Sequence, residues 1–384
     1  MKRGGRKYGI IAALIITGVL ACRIAPAQEV ALEGQAIGWT TVNPSDPYQF
    51  QAGLRYIPEL SFSVPAGRFT IDGEFSANLW GTGTFTRDDS TAWDHQLSPY
   101  RMWVRLSGDQ LELRAGLQKI NFGSARMFRP LMWFDRIDPR DPLQLTDGVY
   151  GLLGRYYFLN NASIWLWGVY GEEKTKGWEV FPTKKGSIEY GGRLQLPLLS
   201  GEIGGSYHHR LADPRMTSPD TVFQVSASAE NRLGIDLRMD MAVGWWIEAA
   251  MIHQQLEFTS LEHKTMLNAG LDYTFSLGNG LNMMTEGFGY LQGEKPFGNE
   301  EEIIFGLLSA SYPINIFHRV QAMVFYDFSN SDIYRFINWS LTYDRWTFYL
   351  MGFWNPDRFK LYNLDYQTSL YAGWGFQLMA VFNH

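Results

Sequence analysis

Residues 68–80 read RFTIDGEFSANLW, and apolar and polar side chains alternate along most of this stretch. Successive side chains of a β-strand point to opposite faces, so alternation of this length predicts a strand. One face would carry hydrocarbon, and the other would carry polar and charged groups, including Asp72 and Glu74. A strand of this kind suits a wall that separates lipid from water.

The same alternation recurs along the chain. It covers residues 111–117, 188–196, 223–235, 239–251, 320–326, 337–343 and 370–382. Aromatic residues make up 15% of the chain and the mean hydropathy is −0.19, so the apolar residues are dispersed. After the first 27 residues, no apolar run is long enough to cross a membrane as a helix. Dispersed apolar and aromatic residues are typical of a transmembrane β-barrel.

The connections between these segments alternate in length. Eight are short, at 63–67, 107–110, 159–161, 197–200, 236–238, 276–280, 313–317 and 344. Nine are longer, at 42–49, 81–99, 119–147, 171–187, 210–221, 253–264, 292–301, 327–334 and 355–368. We therefore predict an all-β fold, a transmembrane antiparallel β-barrel of about 18 strands, with 16 as the alternative. Long loops would be extracellular, and short turns and both termini would be periplasmic.

A soluble β-sandwich is the rival fold. It would also alternate, but its two sheets would share one dry core. The many charged side chains at inward positions would then all need outer faces, while Phe, Leu and Trp filled a single very aromatic core. This arrangement fits the sequence less well than a barrel does.

The N-terminus has the composition of a secretory signal. Four basic residues precede an apolar run at 9–21, and Ala25-Pro26-Ala27 fits a cleavage site. We predict a signal peptide over 1–27 and a single barrel domain over 28–384. Lipidation of Cys22 is the alternative, because residues 19–22 loosely resemble a lipid-attachment box.

Composition excludes several classes of function. Cys22 is the only cysteine, so the mature chain would hold no disulfide and no thiolate metal site. Removal of residues 1–27 leaves 28 basic against 39 acidic residues, which argues against a nucleic-acid partner. His208 and His209 are adjacent on a strand and point to opposite faces, so they form no metal pair. No serine is placed to partner His209 in a barrel phospholipase, and we predict no enzymatic activity, metal or cofactor.

The connection 119–147 differs from the rest of the chain because it mixes charged, aromatic and proline residues. Pro130, Pro139 and Pro142 cannot donate to a strand ladder. Exposure of its apolar side chains to open water would be unfavourable, so we expect it to fold into the barrel as a constriction loop against Arg105, Glu112 and Arg114. Its candidate constriction and solute-binding residues are Arg126, Arg129, Trp133, Asp135, Arg136, Asp138, Arg140 and Asp141. An internal Arg–Asp network that only stiffens the loop is the alternative.

Charged side chains at inward strand positions form a candidate lumen wall. Its members are Asp72, Glu74, Arg101, Arg105, Glu112, Arg114, Glu189 and Arg193. A turn at 107–110 would pair Arg105 with Glu112 across a hairpin. Opposed rows of charge would orient solutes and set ion preference. The simpler interpretation is that these groups are solvated and pair with one another.

One stretch carries a family resemblance. The strand end 113–123, LRAGLQKINFG, followed by Asp138-Pro139-Arg140-Asp141-Pro142, resembles Gram-negative outer-membrane porins of the alginate-export type. The aromatic loops are similar to those of Bacteroidota proteins. The resemblance implies an 18-stranded monomeric channel with loops inside the lumen. The mixed signs of charge on the lumen strands depart from the basic lining of an alginate exporter.

These observations lead to a functional hypothesis. We expect an integral protein of the Gram-negative outer membrane, in contact with lipid and lipopolysaccharide, that passes small polar or charged solutes. A monomer is favoured, with a trimer as the alternative. The alternative function is a barrel anchor or export component that binds a periplasmic or surface partner.

Overall fold

The protein is one closed antiparallel β-barrel. The computed structural model describes residues 29–87, 90–138, 141–172, 174–214, 226–255, 259–357 and 369–384. Its 18 strands pair in sequence order, and the first strand also pairs with the last, so the sheet has no free edge. Closure is what a membrane requires, because an open edge would leave backbone N–H and C=O groups unpaired in hydrocarbon. The predicted all-β barrel of 18 strands is confirmed.

The strand bounds follow the alternating segments of the sequence. They are β1 Glu29–Asn43, β2 Gln49–Ala66, β3 Phe69–Thr86, β4 Thr91–Ser107, β5 Leu111–Gln118, β6 Val149–Tyr157, β7 Ser163–Tyr170, β8 Ile188–Leu198, β9 Gly201–Ala212, β10 Ser228–Asp240, β11 Gly244–Gln254, β12 His263–Phe275, β13 Leu281–Gly293, β14 Glu301–Pro313, β15 His318–Asp327, β16 Asp332–Tyr343, β17 Trp346–Trp354 and β18 Trp374–Asn383. The predicted signal peptide and Cys22 lie outside the described residues.

Four details of the strands differ from the sequence predictions. The turn predicted at 236–238 lies inside β10, which continues to Asp240, and the loop predicted at 81–99 is mostly strand, because β3 runs to Thr86 and β4 begins at Thr91. β18 begins at Trp374 rather than at Leu370, because residues 369–371 form a short 3₁₀ turn. In the hairpin of β4 and β5, Arg105 lies opposite Arg114, and Glu112 lies opposite Ser107. Gly108 N–H donates to Leu111 O, so the turn is tighter than predicted and the register moves by two residues. A shift of two keeps every side chain on its expected face.

The two faces of the wall have opposite chemistry. Outward positions carry exposed apolar side chains such as Leu308, Leu350 and Trp374. Inward positions carry buried charged groups such as Arg210 and Glu248, each with none of its surface exposed. This division is what a wall between lipid and an aqueous lumen demands.

A charge placed on the outer face tests this orientation. The Leu308→Arg variant should lower the free energy of folding into phospholipid vesicles by about 2–4 kcal/mol, because the guanidinium would enter hydrocarbon. Leu308 is 48% exposed at the middle of β14. Ser311→Arg, three residues along the strand and facing the lumen, is the matched control. If reversible urea unfolding shows that Leu308→Arg and Ser311→Arg lower the free energy of folding equally, the assignment of the two faces is wrong.

Candidate functional site: the lumen and its inward loop

The connection between β5 and β6 lies inside the barrel. Gln118 ends β5 and Val149 begins β6, and the intervening segment contains no strand among its described residues. Its apolar side chains are buried: Ile120, Phe122, Phe128, Leu131, Trp133 and Phe134. We call residues 119–147 the inward loop. Its aromatic groups are packed rather than presented to open water.

Two carboxylates of the wall hold the backbone of the inward loop. Glu286 on β13 accepts N–H groups from Arg126 at 2.8 Å and Phe128 at 2.8 Å, with Met127 N–H at 3.2 Å. Glu248 on β11 accepts those of Ala125 at 3.0 Å and Leu131 at 2.7 Å. A loop without secondary structure must find acceptors for its buried N–H groups, and these two side chains supply them.

Further polar contacts extend this attachment to neighbouring strands. Asp236 on β10 receives a bidentate pair from Arg193 on β8, at 2.5 and 3.0 Å, and a hydrogen bond from Ser124 Oγ at 3.2 Å. Arg126 forms an ion pair of 2.8 Å with Asp272 on β12. The inward loop is therefore held by β8–β13.

The position of the loop corrects one expectation. The sequence suggested that it would fold against Arg105, Glu112 and Arg114, which are near its own strand. It crosses the lumen instead and bonds to Glu248 and Glu286. These carboxylates are more than 100 residues away in sequence, and alternation alone marks them only as inward.

An apolar cluster fills the space between the loop and the wall. Phe128 stacks on Phe288 at 5.2 Å and on Phe305 at 5.6 Å between ring centroids. Phe122 stacks on Trp167 at 5.5 Å and meets Trp133 edge-on at 5.4 Å. Aromatic pairs of this geometry add to the stabilisation that burial of their area provides. This half of the lumen therefore has a dry core of its own.

The connection 171–187 also enters the lumen and is held by buried ion pairs. Lys176 contacts Glu189 at 2.5 Å, and Glu179 contacts Arg232 at 2.9 Å. Arg210 and Glu230 form a bidentate pair with both distances at 2.7 Å. Among these residues, the sequence identified only Glu189 as a wall residue. Arg210, Glu230 and Arg232 could have been found from their inward parity, but Lys176 and Glu179 lie in the connection, where no parity applies, and the pairing depends on loop placement.

The candidate residues of the inward loop take different positions. Arg129 and Trp133 are buried, and Arg129 donates to Phe122 O at 3.0 Å while Trp178 donates to Arg129 O at 2.8 Å. Arg136 donates to Thr175 Oγ1 at 3.3 Å. These contacts stabilise the loop, as the stiffening alternative requires. Arg126 remains partly exposed, and Arg140 lies outside the described residues.

The predicted site residues of the loop also include three carboxylates, those of Asp135, Asp138 and Asp141. Asp135 lies 4.0 Å from Lys119, and its burial raises its pKa. Asp138 O accepts the N–H of Asp141 at 3.1 Å, and Asp141 Oδ1 accepts the N–H of Leu143 at 2.9 Å. Asp141 therefore lies in the later part of the inward loop, after the residues that bond to β8–β13.

The turn at Asp141 faces the wall that the inward loop leaves open. The negative charge of Asp141 acts electrostatically on Arg55 of β2 and on Tyr349 of β17, a neutral phenol at ordinary pH. Burial raises the pKa of Asp141, and repulsion by Asp138 acts in the same direction, whereas Arg55 opposes them. Arg55 and Tyr349 were not predicted as site residues. Alternation marks them as inward, but only the path of the loop places them at the narrowing.

Charged residues on β3–β6 line the lumen near the short turns. Arg105 contacts Asp72 at 3.0 Å, and Glu112 lies 3.0 Å from Arg114 and 3.5 Å from Arg155. Glu74 accepts the indole N–H of Trp103 at 3.1 Å, and Arg101 donates to Thr146 O at 3.0 Å. Arg105 approaches Glu112 only to 4.0 Å, in keeping with the corrected register.

This group has an excess of positive charge and unused donors. Three arginines, Arg105, Arg114 and Arg155, share Glu112 and Asp72. The Nε atoms of Arg114 and Arg155 have no hydrogen-bond partner within the described structure. The guanidinium of Arg155 lies over Trp165 at 3.8 Å, and that of Arg114 lies over Trp103 at 4.7 Å. Those Nε atoms are buried, so a solute would meet the remaining N–H groups of these planar guanidinium groups, which suit carboxylate or phosphate groups.

Comparisons with known proteins establish the fold alone. No protein-family model and no curated protein matches the chain. The chain is similar to Acinetobacter baumannii OccAB1, with a TM-score of 0.56, 8% identity, and coverage of 95% of this chain and 98% of that one. It is also similar to Pseudomonas aeruginosa OccK7, with a TM-score of 0.54, 9% identity, and coverage of 92% of this chain and 99% of that one. A third similar structure is Escherichia coli Wzi, an outer-membrane carbohydrate-binding β-barrel involved in group 1 capsule assembly. Its TM-score is 0.51 and its identity is 12%, with coverage of 99% of this chain and 89% of that one.

Removal of a loop acceptor tests the attachment. Glu286→Leu would leave three backbone N–H groups without an acceptor, at a cost of about 1–3 kcal/mol for each. We expect trypsin to cleave after Arg126 much faster than in the unmodified protein, and Glu286→Gln to have a smaller effect because its amide oxygen still accepts. Glu302→Leu at the exposed end of β14 is the control. Unchanged cleavage in Glu286→Leu would show that the loop is held by other contacts.

Proposed function

We propose that the protein is an outer-membrane channel through which small polar and charged solutes diffuse. The observation that carries this proposal is the inward loop, which crosses the lumen and is bonded to Glu248 and Glu286 on β11 and β13. A barrel that served only as an anchor would have no need of a segment fixed at this depth. A fixed segment narrows the passage without depending on the closing of a mobile lid.

The chemistry of the lining supports selectivity. Solutes that pass the inward loop meet Arg55 and Asp141 first and then the group formed by Arg105, Arg114 and Arg155. Opposed charges at a narrowing orient solutes and set ion preference, as rows of charge do in other channels. With Arg101 counted, four arginines face Asp72, Glu74 and Glu112 in this lining, and the single excess positive charge favours anions. The alginate-export and Bacteroidota resemblance stays a prediction.

Location and catalytic inactivity belong to the same proposal. The lipid-facing band places the barrel in a membrane, and barrels of this kind are found in Gram-negative outer membranes. The buried His208 bonds to Glu189 at 3.1 Å and to Trp167 at 3.1 Å, which occupies both ring nitrogens in a structural role. Within the described residues, no group of three metal-ligating side chains is positioned to hold an ion.

Conductance tests the proposal directly. Purified protein in a planar bilayer should open pores, and deletion of residues 124–142 should raise the conductance of a single pore because the obstruction is removed. A folded barrel that stays silent would contradict the proposal. Recovery of a stoichiometric partner with no solute flux would instead favour the anchor or export alternative, for which Wzi provides a structural precedent.

Neutralising the arginine group should change ion preference. The double variant Arg114→Gln and Arg155→Gln should move the reversal potential in a salt gradient toward cation selectivity, because two positive charges leave the lining. Arg68→Gln, at the exposed turn between β2 and β3, is the control with an equal change of charge per site. An identical reversal potential in the double variant would show that solutes do not pass this group.

The raised pKa of Asp141 gives a pH dependence with a defined sign. As pH falls through that pKa, which lies above the usual Asp value of about 3.9, the carboxylate gains a proton and loses its negative charge. The positive charge of Arg55 is then no longer balanced by Asp141. The preference of the channel for anions over cations should therefore increase as pH falls. Asp141→Asn should show the acidic behaviour at every pH. Asp147→Asn, at an exposed loop position, should keep the change of ion preference with pH. Loss of that change in Asp147→Asn would contradict its assignment to Asp141.

A further inference from the structure

The inward surface of the barrel has two chemically different halves. The half that holds the inward loop carries buried charges such as Glu189, Arg193 and Asp236. On β17 and β18, by contrast, every inward position is uncharged: Thr347, Tyr349, Met351, Phe353, Gly375, Gln377, Met379 and Val381. Their neighbours along the strands, such as Leu350 and Leu378, are exposed on the lipid face. This exposure shows which side chains of both strands point outward and which point inward.

A row of neutral polar side chains crosses this second half. Register partners Asn338, Met351, Gln377, Thr41, Gln51 and Thr84 run in order from β16 through β17, β18, β1 and β2 to β3. Gln51 donates to Thr84 Oγ1 at 3.1 Å and accepts from Trp39 Nε1 at 3.3 Å. Thr41, Met351 and Gln377 are buried, whereas Gln51, Thr84 and Asn338 keep part of their surface exposed. The row thus contains amide and hydroxyl groups that act as both donors and acceptors.

Aromatic rings lie toward the short turns from this row, one inward position away for Trp39 and Tyr349 and two for Trp80. Trp39 on β1, Trp80 on β3 and Tyr349 on β17 point inward and are half-buried. Arg55, the cross-strand partner of Trp80, lies 5.7 Å from the ring of Trp39. Tyr349 and Arg55 are also the inward groups on which the charge of Asp141 acts. The flat rings therefore line the side of the passage opposite the turn of the inward loop.

We propose that this neutral wall binds uncharged polyhydroxylated solutes, the chemical class of carbohydrates, as they pass the turn at Asp141. Amide and hydroxyl groups can pair with sugar hydroxyls in either hydrogen-bond direction. The C–H faces of a pyranose fit against flat aromatic rings such as those of Trp39 and Trp80. The inference rests on the proposed channel function and adds to it a solute class and the wall that recognises it.

The division of charge favours this class over ions. An ion that leaves bulk water needs opposite charges or many donors in compensation, and β17 and β18 offer no charged side chain. The arginine group on β4–β6 supplies such compensation for anions. A neutral sugar loses little by turning away from charge, and it gains hydrogen bonds and ring contacts on the neutral wall. The two walls then serve two kinds of solute in one lumen.

Blocking of ionic current by added sugar tests the inference. A neutral oligosaccharide such as maltotriose should interrupt the current of single pores in a concentration-dependent way. Trp39→Ala should weaken the block several-fold, and Trp39→Ala with Gln51→Leu should weaken it further. Trp93→Ala removes an indole from the lipid face of β4, where the ring is exposed, and should leave the block unchanged.

The outcomes separate this inference from the channel proposal. A pore that conducts ions but is not blocked by maltotriose overturns the neutral wall and leaves the channel standing, whereas the absence of any current overturns both. Equal weakening in Trp39→Ala and Trp93→Ala would show that the effect is not local to the lumen. In proteoliposome swelling, glucose should enter faster than glucuronate, and the reverse order would assign solute recognition to the arginine group instead.

Discussion

The need to pair every buried backbone N–H and C=O group determines this structure at two levels. In the wall it closes the sheet, because β1 pairs with both β2 and β18 and no edge remains in the membrane. In the lumen it determines how the inward loop is held. That loop has no ladder of its own, so Glu248 and Glu286 accept its N–H groups from the wall. A carboxylate with its two oxygens can serve several donors at once, which a single hydroxyl or amide cannot do as well.

This attachment explains why charge is concentrated on one side of the lumen. Carboxylates placed among apolar side chains are stable only when paired, and the structure surrounds them with donors and arginines. Arg193 balances Asp236, and Arg210 balances Glu230. The same arrangement holds the connection 171–187, so two loops share one charged wall. The contacts are buried and numerous, which favours a fixed obstruction over a gate.

The opposite wall keeps some inward side chains with exposed surface, such as Trp39, Gln51 and Tyr349, although Thr41, Met351 and Gln377 are buried. There the inward side chains are amides, hydroxyls and aromatic rings, and Asp141 approaches them from the turn of the loop. The lumen therefore combines a half that holds the loops and a half that would form the proposed passage. In the proposed channel, a passage narrowed from one side would discriminate by the chemistry of the other side.

The sequence by itself determined an even number of strands near 18, the alternation of faces along them and the identity of the loop that turns inward. Period-two alternation, unequal connections and the apolar residues among 119–147 carry that information locally. Only the tertiary structure decided that the loop crosses to Glu248 and Glu286, that Arg129 and Trp133 are packed, and that Arg55 and Tyr349 face Asp141. The hairpin register, with Arg105 opposite Arg114, was also beyond the sequence. Each of these contacts depends on barrel closure or turn geometry, which bring together residues that no local pattern relates.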